Sequence, residues 1–270
     1  MIKMKNKIGV VTSTYPNFNG DEAMQGISAA CFQYVELASA PSYFEHILPR
    51  PEEASEADVK NQLDKCKGYG LELYCIAGHT RLLTEKGTEN FKTVLDYADK
   101  AGVPFVTTDT GEVKGEDDKI RFYKAIEELA EYAQSKNVTI CLEMHGTWCN
   151  NGKTGAEIIK KVNHPNVRLN YDTGNVSLYG GVWAVDDMQY ALPYMSFMHI
   201  KDVGGELKEW NFPALGDGRV DFAKIRDFIQ DYTGPVSVEI EFDGKERSLQ
   251  EINEAVKKSY TYLKEHGFMD

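Results

Sequence analysis

A carboxylate and an imidazole stand two residues apart at the end of an apolar stretch of the chain. Glu143 and His145 follow the partly β-branched run Val138–Leu142. In a strand, residues at positions i and i+2 project to the same face, so the two side chains should point the same way. The spacing therefore predicts a buried strand that holds ionisable groups at its end.

Three later apolar runs end in the same manner, at Asp172, His199 and Glu239. Carboxylate and imidazole ligands suit Mn²⁺, Mg²⁺, Co²⁺ or Zn²⁺, and no thiolate accompanies them to favour Zn²⁺ or Cu⁺. Glu241 shares a face with Glu239 by alternation, and we expect Glu239 to be the ligand. If the strand ends converge, Glu143 and these three residues form one metal site.

Strands and helices alternate along the whole chain. The predicted strands are Lys7–Ser13, Gln33–Leu37, Leu71–Ile76, Phe105–Thr108, Val138–Leu142, Val167–Tyr171, Ser196–Ile200 and Val236–Glu241. The predicted helices are Asp21–Ala30, Glu56–Tyr69, Thr88–Ala101, Asp117–Lys136, Thr154–Asn163, Asp186–Tyr194, Asp221–Tyr232 and Ser248–Glu265. Eight strand–helix units in about 250 residues predict an α/β fold, a single (β/α)₈ TIM barrel with eight parallel strands. An open doubly wound sheet is less favoured, because no G-x-G-x-x-G follows the first strand.

The chain is expected to form one domain over residues 1–270, because no linker or low-complexity tract interrupts it. In such barrels the active site lies at the C-terminal ends of the strands. The four candidate ligands come from four consecutive strands, the fifth to the eighth. They should therefore line one side of the barrel mouth.

The composition excludes several classes of partner. A formal net charge of −12 disfavours nucleic-acid binding, which relies on Lys and Arg to neutralise phosphates. No window of about 18 apolar residues predicts a membrane span. The five cysteines are scattered without a C-x-x-C pair, and the segment Met1–Lys7 lacks the apolar core of a signal peptide. We therefore expect a cytoplasmic protein with reduced thiols.

The ordered motifs of the chain resemble the sugar phosphate isomerase/epimerase family, the xylose isomerase-like barrels. They are Cys31-Phe-Gln-Tyr-Val-Glu36-Leu, Leu142-Glu143-Met-His145-Gly, Tyr171-Asp172-Thr-Gly-Asn175, His199-Ile-Lys201-Asp202, Leu215-Gly-Asp-Gly-Arg-Val-Asp-Phe222 and Val238-Glu239. The resemblance implies an enzyme with a small-molecule sugar substrate. It also implies one divalent ion, with Mn²⁺ preferred, held by Glu143, Asp172, His199 and Glu239.

Two departures from related patterns narrow this expectation. Endonuclease IV-like relatives need extra histidines for a trinuclear zinc cluster, and one of these positions holds Asn175 here. Ketohexose 3-epimerases also carry a histidine at that position, and an arginine where this chain has Gly205. DNA repair is therefore not expected, and the resemblance does not predict ketohexose 3-epimerisation in particular.

The expected reaction is proton transfer next to a carbonyl of a keto-sugar or aldose. The resemblance implies that Glu143 and Glu239 remove and return the proton while the ion polarises an oxygen. His145 is a further catalytic candidate, because an imidazole has an ordinary pKa of about 6.5, or else it only donates a hydrogen bond to a ligand. Lys201 is another catalytic candidate, because it could polarise a carbonyl or bind an anionic group. The alternative is that it is a surface lysine.

The substrate-binding candidates lie on the same face of the barrel. They are Glu36, His79, Trp148, Asn175 and Trp183. Tyr15 is a further aromatic candidate, since aromatic rings beside carboxylates suit the apolar face of a sugar, although each ring could equally be a packing residue.

Two alternatives remain open from the sequence. A Glu-x-His at the fifth strand also resembles lyases or dehydratases that act on a keto-sugar or keto-inositol, including C-glycoside-cleaving subunits. The other alternative is a non-catalytic sugar-binding barrel, which the intact ligand set disfavours. The substrate, its phosphorylation and a homo-oligomeric state are not determined by the sequence.

Overall fold

Eight parallel strands close into a barrel in the computed structural model, which describes residues 6–41 and 43–269. The strands are β1 Ile8–Val11, β2 Tyr34–Ala40, β3 Phe44–Glu45, β4 Glu72–Gly78, β5 Phe105–Thr108, β6 Thr139–Glu143, β7 Val167–Asp172, β8 Met195–Ile200 and β9 Val236–Val238. The sheet order is β1-β9-β8-β7-β6-β5-β4-β2-β3, and a β1–β2 pairing closes it. The eight barrel strands are thus all but β3, and the predicted TIM barrel is confirmed.

Eight helices surround the barrel. They are α1 Gly20–Ala29, α2 Glu56–Gly68, α3 Glu85–Ala101, α4 Glu116–Ser135, α5 Gly152–Val162, α6 Ala184–Ala191, α7 Phe222–Phe228 and α8 Leu249–Glu265. Several begin at side chains that accept a backbone N–H of the first turn, as Ser248 does from Glu251 in α8. Their apolar faces pack on the outside of the strands to form the main hydrophobic core.

Some element boundaries differ from those predicted. The helix predicted to begin at Thr154 begins earlier as α5, because Asn151 accepts the Thr154 N–H and caps the helix. The predicted eighth strand ends at Val238 as β9, yet the Glu239 N–H still donates to Ile200 O at 3.2 Å. The ladder therefore carries Glu239 to the mouth even where the regular strand has stopped.

The segment Ala38–Ser55, predicted as a loop, contains the extra strand β3. The second barrel strand continues to Ala40, and β3 folds back on it so that Phe44 pairs with Ala40 in antiparallel register. A two-residue strand shows no alternation that a sequence pattern can reveal. This hairpin brings Phe44 and His46 toward the loop before α1, where His46 contacts Phe18.

No helix in the described ranges is both long and apolar enough to cross a membrane. The expectation that no signal peptide is present concerns Met1–Lys7, of which residues 1–5 lie outside the described residues. None of the five cysteines, Cys31, Cys66, Cys75, Cys141 and Cys149, is in a disulfide.

Candidate active site

Four ionisable side chains converge at the C-terminal mouth of the barrel. Glu143 and Asp172 are the last residues of β6 and β7, His199 lies next to the end of β8, and Glu239 follows β9. One ligand atom from each lies within 4.8 Å of those of the other three, and all four residues are buried. The structure thus brings together the four metal ligands that the sequence predicts; we call them the ligand set.

Two buried oxygens of the ligand set accept no well-aligned hydrogen bond, Asp172 Oδ2 and Glu239 Oε2. The Lys201 ammonium lies 2.9 Å from Glu239 Oε2 but 3.6 Å from Asp172 Oδ2, so the Asp172 oxygen is the less compensated of the two. His199 Nδ1 lies 3.2 Å from Glu143 Oε1, 3.7 Å from Asp172 Oδ2 and 3.5 Å from Glu239 Oε2. Buried carboxylate oxygens without donors are costly unless a cation satisfies them. Three carboxylates and one imidazole therefore fit a divalent ion such as Mn²⁺ or Mg²⁺.

Glu36 lies inside the barrel beneath His199 and not at the substrate side of the site. Its carboxylate accepts from Thr107 on β5 at 2.7 Å and from Ser237 on β9 at 2.5 Å. Glu36 Oε2 is 2.9 Å from His199 Nε2, and the Glu36 side chain is fully buried. The predicted substrate-binding role is therefore not supported for Glu36, because the imidazole of His199 separates it from the mouth.

This contact determines which nitrogen of His199 faces the ligand set. Because the carboxylate of Glu36 accepts a hydrogen bond from Nε2–H, the Nδ1 atom of His199 is available to bind a metal ion. Burial alone would lower the pKa of His199, but the charges of Glu36 and Glu143 outweigh it and raise the pKa well above its ordinary value. A cation at Nδ1 would compete with that proton.

Lys201 is a buried cation beside the ligand set. Its Nζ lies 2.9 Å from Glu239 Oε2, 3.6 Å from Asp172 Oδ2 and 2.6 Å from Glu241 Oε2. Burial opposes its charge, yet these carboxylates raise its pKa well above the ordinary value. Lys201 is therefore a permanent positive charge at the site and neither a base nor a surface lysine.

Asn175 links the two sides of the ligand set. Its Nδ2 donates to Glu143 Oε1 at 3.1 Å, and its Oδ1 accepts from Lys201 Nζ at 3.1 Å. The Asn175 backbone N–H also donates to Asp172 Oδ1 at 2.7 Å. The residue is buried, so the structure places it as a support for the ligand set more than as a wall of a substrate site.

Two histidines share one aspartate next to Glu143. His79 Nδ1 is 2.9 Å from Asp109 Oδ2, and His145 Nδ1 is 3.6 Å from the same oxygen. His79 Nε2 lies 3.6 Å from Glu143 Oε2, and His145 Nε2 is hydrogen-bonded to the Tyr179 hydroxyl at 3.0 Å. Burial would lower the pKa of His79, but Asp109 raises it to about 9.

The three aromatic candidates lie in different surroundings from those expected. Trp148 packs edge-on against Phe122 of α4, with ring centroids 5.5 Å apart, and Trp183 contacts the Arg219 guanidinium at 5.6 Å. Tyr15 is fully buried, and its hydroxyl donates to Asn253 Oδ1 at 3.0 Å. All three rings thus contact helices or loops. Their direction could not be predicted, because loop residues follow no period from which a facing direction can be deduced.

Other residues at the site were not predicted. Asp109 directly follows β5, so the rule that picked out Asp172 would also have found it. Ser13 donates from its hydroxyl to Glu239 Oε1 at 3.0 Å, and a lone serine after the first strand carries no such signal. Tyr179 reaches His145 from a π-helical segment, Val176–Gly180, that no sequence period revealed.

One large cavity lies away from this chemistry. It measures about 1010 Å³ and is lined by residues at strand starts, including Phe105, Met195 and Pro235. That is the N-terminal end of the barrel, whereas active sites of this fold lie at the C-terminal end. We therefore place the functional site at the ligand set.

Several solved structures share the fold of this chain. A D-allulose 3-epimerase from Methylomonas sp. superposes with a TM-score of 0.75 at 20% identity, covering 98% of this chain and 100% of its own. The probable 3-DHS dehydratase AsbF from Bacillus anthracis has a TM-score of 0.74 at 16% identity, covering 96% of this chain and 98% of its own. A xylose isomerase-like TIM barrel protein from Mycobacterium smegmatis in complex with magnesium has a TM-score of 0.74 at 17% identity, covering 97% of this chain and 98% of its own.

At these identities the structural likeness shows the fold alone. No protein of curated function matches the sequence. The family model described as xylose isomerase-like TIM barrel matches residues 27–266, which is most of the chain. The closed parallel barrel and the strand-end ligand set agree with that match, and the chain belongs to the xylose isomerase-like TIM barrel family.

Proposed function

We propose that this protein is a divalent-metal-dependent isomerase or epimerase that moves a proton next to a carbonyl of a sugar. The observation that carries the proposal is the convergence of Glu143 and Glu239 with Asp172 and His199 in one buried group. The D-allulose 3-epimerase of similar fold acts, by its name, on a sugar, which supports a sugar as substrate.

The ligand set would hold the ion, and we propose Mn²⁺ as its identity. When bound, a divalent ion acts as a Lewis acid that polarises a carbonyl or hydroxyl oxygen. The buried Asp172 Oδ2, which accepts no hydrogen bond, supports this assignment. We further propose a cytoplasmic location and one domain over residues 1–270.

The two glutamates are suited to take and return a proton. Burial would raise the pKa of Glu143, but His199 lowers it, and Lys201 in turn holds the pKa of Glu239 well below its ordinary value. Both carboxylates are therefore ionised at neutral pH and can accept a proton. Asn175 orients Glu143, and Ser13 orients Glu239 through a hydrogen bond of 3.0 Å.

Lys201 compensates negative charge on the other side of the site. It contacts Asp172 and Glu239 of the ligand set, so the group does not carry three unbalanced carboxylates. His145 has a different position, since its side chain is 41% exposed and lies beside the mouth. We propose that it contacts the substrate and moves a proton at a leaving or entering oxygen.

A lyase or dehydratase is the second candidate, and the histidine pair favours it. Elimination needs an acid for the leaving group besides the base that removes the α-proton. His79 and His145, joined by Asp109, offer such a group beside Glu143. AsbF, the dehydratase of similar fold, supports the same candidate. Turnover in D₂O separates the two: deuterated isomer indicates epimerisation, and loss of water or aglycone indicates elimination.

Removing one ligand tests the proposed function. We expect Glu143→Gln and His199→Ala each to lower bound metal, measured by elemental analysis, and to abolish turnover of a panel of keto-sugars. His145→Ala is the control, because it changes a neighbouring residue that is not a ligand and should keep the metal. Unchanged metal content in both ligand variants would contradict the site. A non-catalytic sugar-binding barrel would instead bind metal and sugar in the wild type without turnover.

A further inference from the structure

A small side pocket opens beside the ligand set. Its volume is about 300 Å³, and its lining includes Ser13, Phe44, Trp210, Glu241, Phe242 and Arg247. Ser13 donates to Glu239 at 3.0 Å, and Glu241 lies 2.6 Å from Lys201 Nζ. The side pocket therefore continues from the ligand set, and its size is at the lower end of pockets that bind small organic ligands.

One wall of the side pocket is an exposed indole. Trp210 is 45% exposed, and it lines the side pocket together with Phe44 and Phe242, so the exposed ring belongs to an aromatic patch and is not isolated. Its ring meets that of Phe212 edge-on, with centroids 5.6 Å apart, and Phe212 in turn lies 4.7 Å from Lys201 Nζ. Phe44, from the hairpin that β3 makes, lines the pocket as well. A flat apolar group could cover these rings.

The aromatic walls are held in place by the backbone. The Phe212 N–H donates to Phe242 O at 2.7 Å, and the Phe242 N–H donates to Phe212 O at 2.8 Å. Phe242 has a φ of 53°, a left-handed conformation that a bulky residue adopts only where its surroundings fix it. The Arg247 guanidinium lies 5.2 Å from the Phe242 ring. The side pocket is thus a preformed surface.

The cations at the rim are already paired. Lys245 Nζ lies 2.7 Å from Asp243 Oδ2, and Arg247 lies 2.8 Å from Asp243 Oδ1. Glu241 adds a carboxylate to the lining. An anionic group such as a phosphate would therefore meet only cations that are already compensated, whereas a neutral group would meet aromatic rings.

We infer that the substrate carries a neutral, flat apolar substituent, such as an aryl ring, which binds in the side pocket. The inference rests on the proposed function, because it takes the sugar itself to bind at the ligand set. A free pentose or hexose at that position would leave the Trp210 indole uncovered. The substrate class is then a sugar that has a carbonyl at the ligand set and carries this substituent at another position; the glucosides below serve as binding probes and not as substrates.

Binding of two matched probes tests this. We would titrate the manganese-loaded protein with phenyl β-D-glucopyranoside and with methyl β-D-glucopyranoside in a calorimeter. We expect the phenyl glucoside to bind about tenfold more tightly, the size of effect that a stacked ring gives. Trp210→Ala should abolish this preference while the affinity for the methyl glucoside stays the same. Phe44→Ala, on another wall, should reduce the preference.

Tyr190→Ala is the matched control, because Tyr190 is 49% exposed but does not line the side pocket. It should retain the full preference. Equal affinities in the wild type, absence of binding for both probes, or a preference that survives Trp210→Ala and Phe44→Ala would each overturn the inference. The proposed function fails by a different result, unchanged metal in Glu143→Gln and His199→Ala, so the two failures are distinguishable.

Discussion

At the scale of residues, the ligand set rests on a carboxylate inside the barrel, because Glu36 Oε2 lies 2.9 Å from His199 Nε2. Glu143, Asp172 and His199 each lie at the end of an apolar run, and parallel strands bring such ends together. The sequence could not place Glu36 in the same way. Its position on a strand indicates that it faces the barrel interior, but not how deep it lies, and depth decides whether it meets substrate or His199.

Glu36 acts on the ligand set through its contact with His199. Exchanging Glu36 for glutamine keeps the shape of the side chain but removes the negative charge that accepts the hydrogen bond from His199 Nε2–H. We expect Glu36→Gln to weaken metal binding by about 10–100-fold, the usual cost of losing such a partner. Calorimetric titration with Mn²⁺ measures this effect.

Ser237→Ala is the comparison for this variant. It removes a donor to Glu36 Oε2 and leaves the contact with His199 in place. We expect a smaller loss of affinity than in Glu36→Gln. Equal metal affinity in the wild type and Glu36→Gln would show that Glu36 does not position His199.

At the scale of elements, strand and helix order could be predicted, whereas short or irregular elements could not. The helix start predicted at Ser248 is confirmed, since Ser248 caps α8. Asn151 and not Thr154 begins α5, because both residue types cap helices and spacing alone does not choose between them. The strand β3 is too short to show a period. Trp148 faces α4. This direction could not be predicted, because a loop has no period that indicates where a side chain points.

The hairpin of β2 and β3 makes stability depend on pH through His46. This imidazole is buried, its Nε2 donates to Phe18 O at 3.0 Å, and Nδ1 has no partner. Burial lowers the pKa of His46, so the unfolded chain takes up its proton at a higher pH than the folded chain. Its contribution to stability is therefore complete above a pH of about 6.5 and is lost as the pH falls below that value.

His46→Gln should reduce this dependence, since the glutamine amide can donate to Phe18 O but does not titrate. We expect the urea midpoint to fall less between pH 7 and pH 5.5 in the variant than in the wild type. Unfolding curves at the two pH values provide the measurement. An identical fall in both proteins would refute a role for His46.

At the scale of the whole molecule, bound metal should contribute to stability. The ligand set places three carboxylates close together, and a cation that binds only the folded chain stabilises it by mass action. At an ion concentration a hundred times Kd this amounts to about 2.7 kcal/mol. We expect Mn²⁺ to raise Tm by several degrees and a chelator to reverse the rise.

Thermal unfolding at increasing Mn²⁺ concentrations checks this expectation. Glu143→Gln should lose most of the rise, whereas His145→Ala should keep it, because His145 is not among the ligand set. A rise of equal size in both variants would indicate that the ion binds elsewhere on this acidic chain, whose formal net charge is −12.

The paired backbones of Phe212 and Phe242 also bear on how a substrate gains access. They join the segments that follow β8 and β9, so neither can swing outward without breaking the two hydrogen bonds between them. The two segments are therefore tied to each other along that rim of the barrel. The barrel order puts β4, which leads into His79, on the opposite side from β8. The opposite rim, with His79 and the half-exposed His145, is not tied by this pair of hydrogen bonds.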